Sequence, residues 1–109
     1  MENISPIKSR KEELEETFEE LNMVISGLER LLQQTKNKEV AEKVFDHCEE
    51  IGHMYTAGAM TLEMAITRSE EMFEMMLILA REEQIPEDKL TVDNLKKLGD
   101  FRRPPDLTE

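Results

Sequence analysis

The sequence predicts an all-α protein: a long antiparallel helical hairpin of coiled-coil type, plus a short C-terminal helix, associating as a helical bundle. Three observations predict it. Residues 38–85 contain no proline. Along them Phe45, Cys48, Gly52, Tyr55, Ala59, Leu62, Ile66, Ser69, Phe73, Met76 and Ala80 keep a 3,4 alternation, the seam of a coiled coil or bundle. Charged residues make up 36% of the 109 residues, against roughly 25% in ordinary soluble domains; that excess suits long solvated helices.

One domain fits the length. Residues 1–8 read as a flexible lead, 9–101 as a single helical domain and 102–109 as an extended tail. Helix 1 is expected at about 9–34. Ser9-Arg10-Lys11-Glu12 has the form of a capping box, with Ser9 capping an early amide and Glu12 reaching back. Its apolar stripe is Leu14, Phe18, Leu21, Ile25, Leu28 and Leu32, widened by Val24 and Leu31. Glu12, Glu13, Glu15 and Glu16 suit the positive end of the helix dipole.

Thr35-Lys36-Asn37-Lys38 is the expected turn, with Asn37 as N-cap of helix 2. So short a link makes an antiparallel pair, in which position i faces roughly position 73 minus i. Helix 2 is expected at about 38–85, ended by Pro86. Gly52 and Gly58 each cost ~1 kcal/mol relative to alanine in a helix, but no proline or polar turn cluster accompanies them. A continuous helix is therefore the favoured reading. A turn near Ala57-Gly58, giving a three-helix bundle, is the alternative. A short helix at about 87–98 has Leu90, Val92, Leu95, Leu98 and Phe101 as its apolar side, with Gly99 closing it.

A continuous helix 2 would be about 69 Å long and helix 1 about 39 Å at ~1.5 Å per residue. The stretch from Met64 to Leu79 would then overhang with its apolar side chains uncovered. This predicts self-association as a homodimer or higher oligomer. Six of the eight methionines lie between Met54 and Met76, and methionine adapts to varied partners. The leading reading is thus a small acidic cytoplasmic interaction module (an adaptor, chaperone or inhibitor), with catalysis left open by the residues and favoured only on the metal alternative below. Its expected interface residues are Tyr55, Met60, Met64, Met72, Phe73 and Met76, and a protein is its expected partner.

Net charge of −11 excludes a broad basic patch of the kind that neutralises phosphates, so no direct nucleic-acid binding is expected. An acidic DNA mimic is a further alternative. No run of ~18 apolar residues predicts a membrane span. The N-terminus carries no secretory signal pattern. The single cysteine, Cys48, reads as a small buried hydrophobe. With one cysteine there is no intrachain disulfide, which suits a reducing cytoplasm. Cys48 and its neighbour His47 diverge by ~100° on a helix and cannot pair directly. Glu70, Glu71 and Glu74 read as a solvated face.

No cofactor is expected on the leading reading. One constellation suggests metal chemistry. Glu50-Ile51-Gly52-His53 is a Glu-x-x-His, which puts a carboxylate and an imidazole on one helix face. The pairing rule sets Glu20 level with His53. Asp46 with His47 is a weaker possibility. Two copies would supply Glu20, Glu50 and His53 twice, the ligand set of a di-iron bundle. With Glu20 followed some 30 residues on by the run Glu49-Glu50-Ile51-Gly52-His53, the arrangement resembles the encapsulated ferritins. That resemblance implies iron and a ferroxidase site completed at a homodimer interface.

Overall fold

The computed structural model describes residues 9–99; the lead at 1–8, Phe101 and the tail at 102–109 lie outside the described residues. Four α-helices follow in order: α1 (Arg10–Leu32), α2 (Lys38–Thr56), α3 (Leu62–Glu82) and α4 (Val92–Leu98). A single 3-10 turn, Glu87–Lys89, precedes α4. The described residues contain no strand. α1 is the central element, packing against each of the other three, most extensively against α3 and α4.

α1 begins as its sequence predicts. The Ser9 hydroxyl accepts from the Glu12 amide at 3.1 Å, and the Glu12 carboxylate accepts from the Ser9 amide at 3.0 Å. Two of the amides a helix start leaves without partners are thereby satisfied. The predicted stripe faces inward: Phe18, Ile25, Leu28 and Leu32 are buried and Leu14 and Leu21 partly so.

The turn at 33–37 holds itself together differently from expectation. Asn37 makes no capping bond. Its side-chain amide donates instead to the Glu83 carboxylate just past the end of α3. Thr35 organises the turn, donating to the Leu32 carbonyl at 2.7 Å and accepting from the Asn37 amide at 3.1 Å.

The favoured continuous helix over 38–85 is corrected: the chain breaks at residues 57–61. Gly58 has φ +82°, a left-handed conformation that costs other residues about 1–2 kcal/mol. The Gly58 amide donates to the Tyr55 carbonyl at 3.0 Å, and the Ala59 amide donates to Met54 at 2.8 Å. Together these bonds form a Schellman motif, which satisfies the last carbonyls of α2. Thr61 then starts α3, its hydroxyl accepting from the Met64 amide at 3.2 Å. The alternative turn at Ala57-Gly58 is the one adopted.

The break folds α3 back onto the rest of the chain. Phe18 near the start of α1 meets Tyr55 near the end of α2, ring centroids 5.8 Å apart and edge to face. Gln33 just past α1 bonds Glu42 early in α2. These pairings lie close to the predicted register, since 18 and 55 sum to 73 and 33 and 42 to 75. Asn37 and Glu83 meet at that same end, so α3 runs back alongside α1. Two contiguous cores result. Phe18, Ile51, Leu62, Ala65 and Ile66 pack together at one end. Val24, Ile25, Leu28, Leu32, Ala41, Val44, Cys48, Met76, Ala80, Leu90 and Leu95 form the other. Of the stretch from Met64 to Leu79 that was expected to overhang, Ile66 and Met76 are buried and Met72, Phe73 and Leu79 partly buried within one chain, while Met64, Met75 and Ile78 remain exposed.

α3 ends in a second Schellman motif. The Gln84 amide donates to the Arg81 carbonyl and the Ile85 amide to Ala80, each at 3.0 Å, and Gln84 takes φ +62°. The expected helix at 87–98 divides at Thr91, whose hydroxyl accepts from the Asn94 amide at 3.2 Å and starts α4. Leu90 and Leu95 are buried as expected, while Val92 faces outward. Gly99 closes α4, its amide donating to the Leu95 carbonyl.

Candidate functional site

The helical break sorts the predicted interface residues into three environments. Met76 is fully buried in the core, so its place in an interface is corrected. Tyr55, Met60, Met72 and Phe73 are partly buried, packed along the edges of the two cores. The Tyr55 hydroxyl also donates to the Glu15 carboxylate at 3.4 Å, tying α2 to α1. Met64 alone of the six stands largely in solvent. It has company: Met64, Met75 and Ile78 are exposed by 47%, 48% and 56%, high values for side chains of this size. The intervals from Met64 through Arg68, Glu71 and Met75 to Ile78 are 4, 3, 4 and 3, so they form one line down α3. Met72 and Leu79, half buried, border it.

Met75 and Ile78 were missed by the seam pattern, which follows the core side of α3. Their signal was present as a second 3,4 series starting at Met64. A buried seam and an exposed one on the same helix have similar residue content. Only the folded arrangement separates Met75 from Met76.

The acidic groups are distributed over every helix. Glu12, Glu15, Glu16 and Glu19 line one open face of α1. On α3, Glu63, Glu70, Glu71 and Glu74 are exposed, and none forms an ion pair with a described residue. Arg81 is taken up by Glu87, with the guanidinium Nε donating at 3.0 Å. Arg68 is the other cation of α3 and lies within the exposed line.

The three metal candidates do not meet within one chain. Glu20 turns toward α4 and pairs with Lys96 at 3.5 Å. Glu50 pairs with His47 at 3.6 Å. His53 is exposed on α2, along an open face that Lys43, Asp46, His47, Glu49 and Glu50 share. Glu20 thus faces α4, away from the α2 face that carries Glu50 and His53. Among the described residues no group of three His, Cys, Asp or Glu side chains is placed to hold a metal ion.

A shallow cleft of about 290 Å³ lies between α1 and α2. Ile25, Phe45 and Cys48 give it an apolar lining, with Asn22, Glu49, Gly52 and His53 around them. A β-carbon at Gly52 would meet nothing within 4 Å, so the glycine leaves the cleft open without making a close contact. The Cys48 thiol is pushed from 9.0 up to about 12, by burial first and by the Glu49 carboxylate second. A thiol held neutral in this way is a poor nucleophile and metal ligand.

The described residues form four α-helices whose exterior is strongly acidic, and the outward line on α3 carries Met64, Met75 and Ile78 with Arg68 and Glu71 between them. The chain matches no family model, no curated protein and no solved structure. Among the described residues no helix is long and apolar enough to cross a membrane.

Proposed function

We propose that this protein is a small acidic interaction module that binds another protein through the outward face of α3. The observation that supports this reading most is the line of Met64, Met75 and Ile78, exposed while the neighbouring Met76 fills the core. Single exposed apolar residues are ordinary, whereas neighbouring ones, such as Met75 and Ile78 bordered by Met72 and Leu79, make the kind of patch that marks a binding surface. Methionine, unbranched and polarisable, adapts to the partner it meets. The acidic surroundings would steer encounter and exclude acidic competitors.

The test is a photo-crosslinking amino acid placed at position 75 or 78, with position 50 on α2 as control, in cells that express the protein. A partner crosslinked from 75 and 78 is then purified. It should bind the native chain and lose binding to Ile78→Asp. Equal crosslinking from position 50, or undiminished binding to Ile78→Asp, refutes the proposal. Self-association is decided in the same experiment, since a second copy would appear as a crosslinked dimer.

The iron reading has one feature in its favour: Asp46, His47, Glu50 and His53 share an exposed face of α2. Lys43 stands on that same face and opposes a cation. A site there would need a second copy to complete it. It predicts iron at about one ion per chain after iron-supplemented expression, the figure a di-iron site shared by two copies requires, lost in His53→Ala. A metal-free protein removes it.

A further inference from the structure

The outward face of α3 has a shape and a charge pattern that restrict what can cover it. We infer that its occupant is a cationic amphipathic helix; this rests on the interaction reading above and adds the partner's chemistry to it.

The shape favours a helix. From Met64 to Ile78 the exposed line runs about 21 Å at ~1.5 Å per residue, within the unbroken helix α3. Its ridge repeats at 4,3 spacing, which is the spacing a second helix presents in return. A peptide that binds as an added β-strand would need an unpaired sheet edge to bond with, and the described residues contain no strand.

The charge favours a cation. Glu71 lies within the line, between Arg68 and Met75, and Glu63, Glu70 and Glu74 flank it. None of these four carboxylates forms an ion pair with a described residue. A partner that covered Glu71 with apolar atoms alone would strip water from a charge whose one neighbouring cation on α3 is Arg68, which shares its open face but does not pair with it, while Glu63, Glu70 and Glu74 add to the negative excess. Lys or Arg in the partner's seam, with more along its flank, removes that penalty. Arg81 offers no substitute because it is engaged with Glu87.

The same residues argue against a second copy. A two-fold pairing that sets Met64 opposite Ile78 of the other chain is centred on residue 71. It would place two Glu71 carboxylates face to face at its centre, although it would also set Arg68 of each chain opposite Glu74 of the other. It would also join two chains of net charge −11, and like charges set against each other suppress association.

The experiment labels the methionine methyl groups of the full chain with ¹³C and adds synthetic helices as probes. One probe matches the ridge in length and carries Leu at 3,4 spacing except for a Lys at the seam position opposite Glu71, with Lys elsewhere; the other replaces every Lys with Glu. The Lys helix should shift the Met64 and Met75 signals to saturation while Met54 on α2 and buried Met76 hold still. The Glu helix should shift none. Glu71→Lys should weaken binding of the Lys helix about tenfold or more, by like-charge opposition in the seam. Ile78→Asp, checked for folding by circular dichroism, should abolish it.

Equal binding of the Glu helix overturns the partner chemistry but leaves α3 as an interaction face. Shifts at Met54 as large as those at Met64 and Met75 also overturn it, since attraction would then be diffuse. If neither helix binds, both the inference and the interaction reading fall. A dimer in sedimentation that dissociates in Ile78→Asp would assign the face to a second copy and refute the inference.

Discussion

Gly27 of α1 lies so close to Leu95 of α4 that a β-carbon at position 27 would stand 2.1 Å from the Leu95 carbonyl oxygen. The contact is repeated one turn away, where a β-carbon at Gly99 would stand 1.9 Å from the Met23 carbonyl oxygen. Two glycines therefore let a seven-residue helix rest directly on the backbone of α1. Backbone cannot rotate aside as a side chain can, so Gly27→Ala must displace α4. Alanine gains about 1 kcal/mol in helix propensity, but the displaced α4 uncovers Leu90 and Leu95, about 1.5–3 kcal/mol each. The expected outcome is a net loss of about 2 kcal/mol or more in urea unfolding, with hydrogen exchange over 92–98 losing its protection. A variant with a higher urea midpoint and intact protection would show that the contact yields more easily than its geometry implies.

Gly58→Ala should cost about 1–2 kcal/mol, because alanine adopts the left-handed conformation of position 58 only with strain. It should also make helical propagation across 57–61 easier. Joining α2 to α3 would produce the continuous helix over 38–85 and expose the inner face of α3. Two such chains can exchange α3 and restore both cores. Sedimentation should therefore detect a dimer in Gly58→Ala that is absent from, or much rarer in, the native chain at the same concentration.

The mirror case is Gln84→Gly. Gln84 holds φ +62° with a β-carbon in place. Glycine takes that conformation freely, at the cost of a looser unfolded chain. A net stabilisation of about 0.5–1 kcal/mol is expected. No gain in thermal midpoint would mean that the side chain of Gln84 contributes contacts of its own.

Cys48 supplies a pH-dependent test. Its folded value of about 12 lies above the ordinary 9.0, so the folded chain binds the thiol proton more tightly than the unfolded chain does. The stabilisation linked to that proton is fully present below pH 9 and is lost as pH rises from about 9 toward 12. Other groups titrate there, so the measurement is a difference. Native protein should lose stability more steeply than Cys48→Ala across that window, and identical slopes would contradict the shift. At pH 8 the native thiol should also resist alkylation until the protein unfolds.

How much of this was legible in the residues varies from element to element. The capping box at Ser9 and Glu12 works from sequence because both its partners lie three residues apart on one strand of chain. The α1 stripe and the register pairing Phe18 with Tyr55 were likewise readable, one from 3.6-residue periodicity and the other from the short turn. The break at 57–61 carried its local signs, Gly58 for the left-handed cap and Thr61 for the next helix start. An uninterrupted 3,4 seam ran through them and outweighed them. The seam continues because α2 and α3 both pack inward on α1, and two helices that share a core can continue one pattern across a turn.

Sequence alone determined that the chain is helical, where α1 starts and ends, and that its exterior is strongly acidic. Those properties follow from neighbours along the chain and from composition. Tertiary structure alone decided that Met76 is core while Met75 and Ile78 are surface, and that Glu20 faces Lys96 instead of His53. It also decided that Gly27 seats α4. Each of these depends on the rotation of one helix against another, and that rotation is set by packing between residues far apart in the chain.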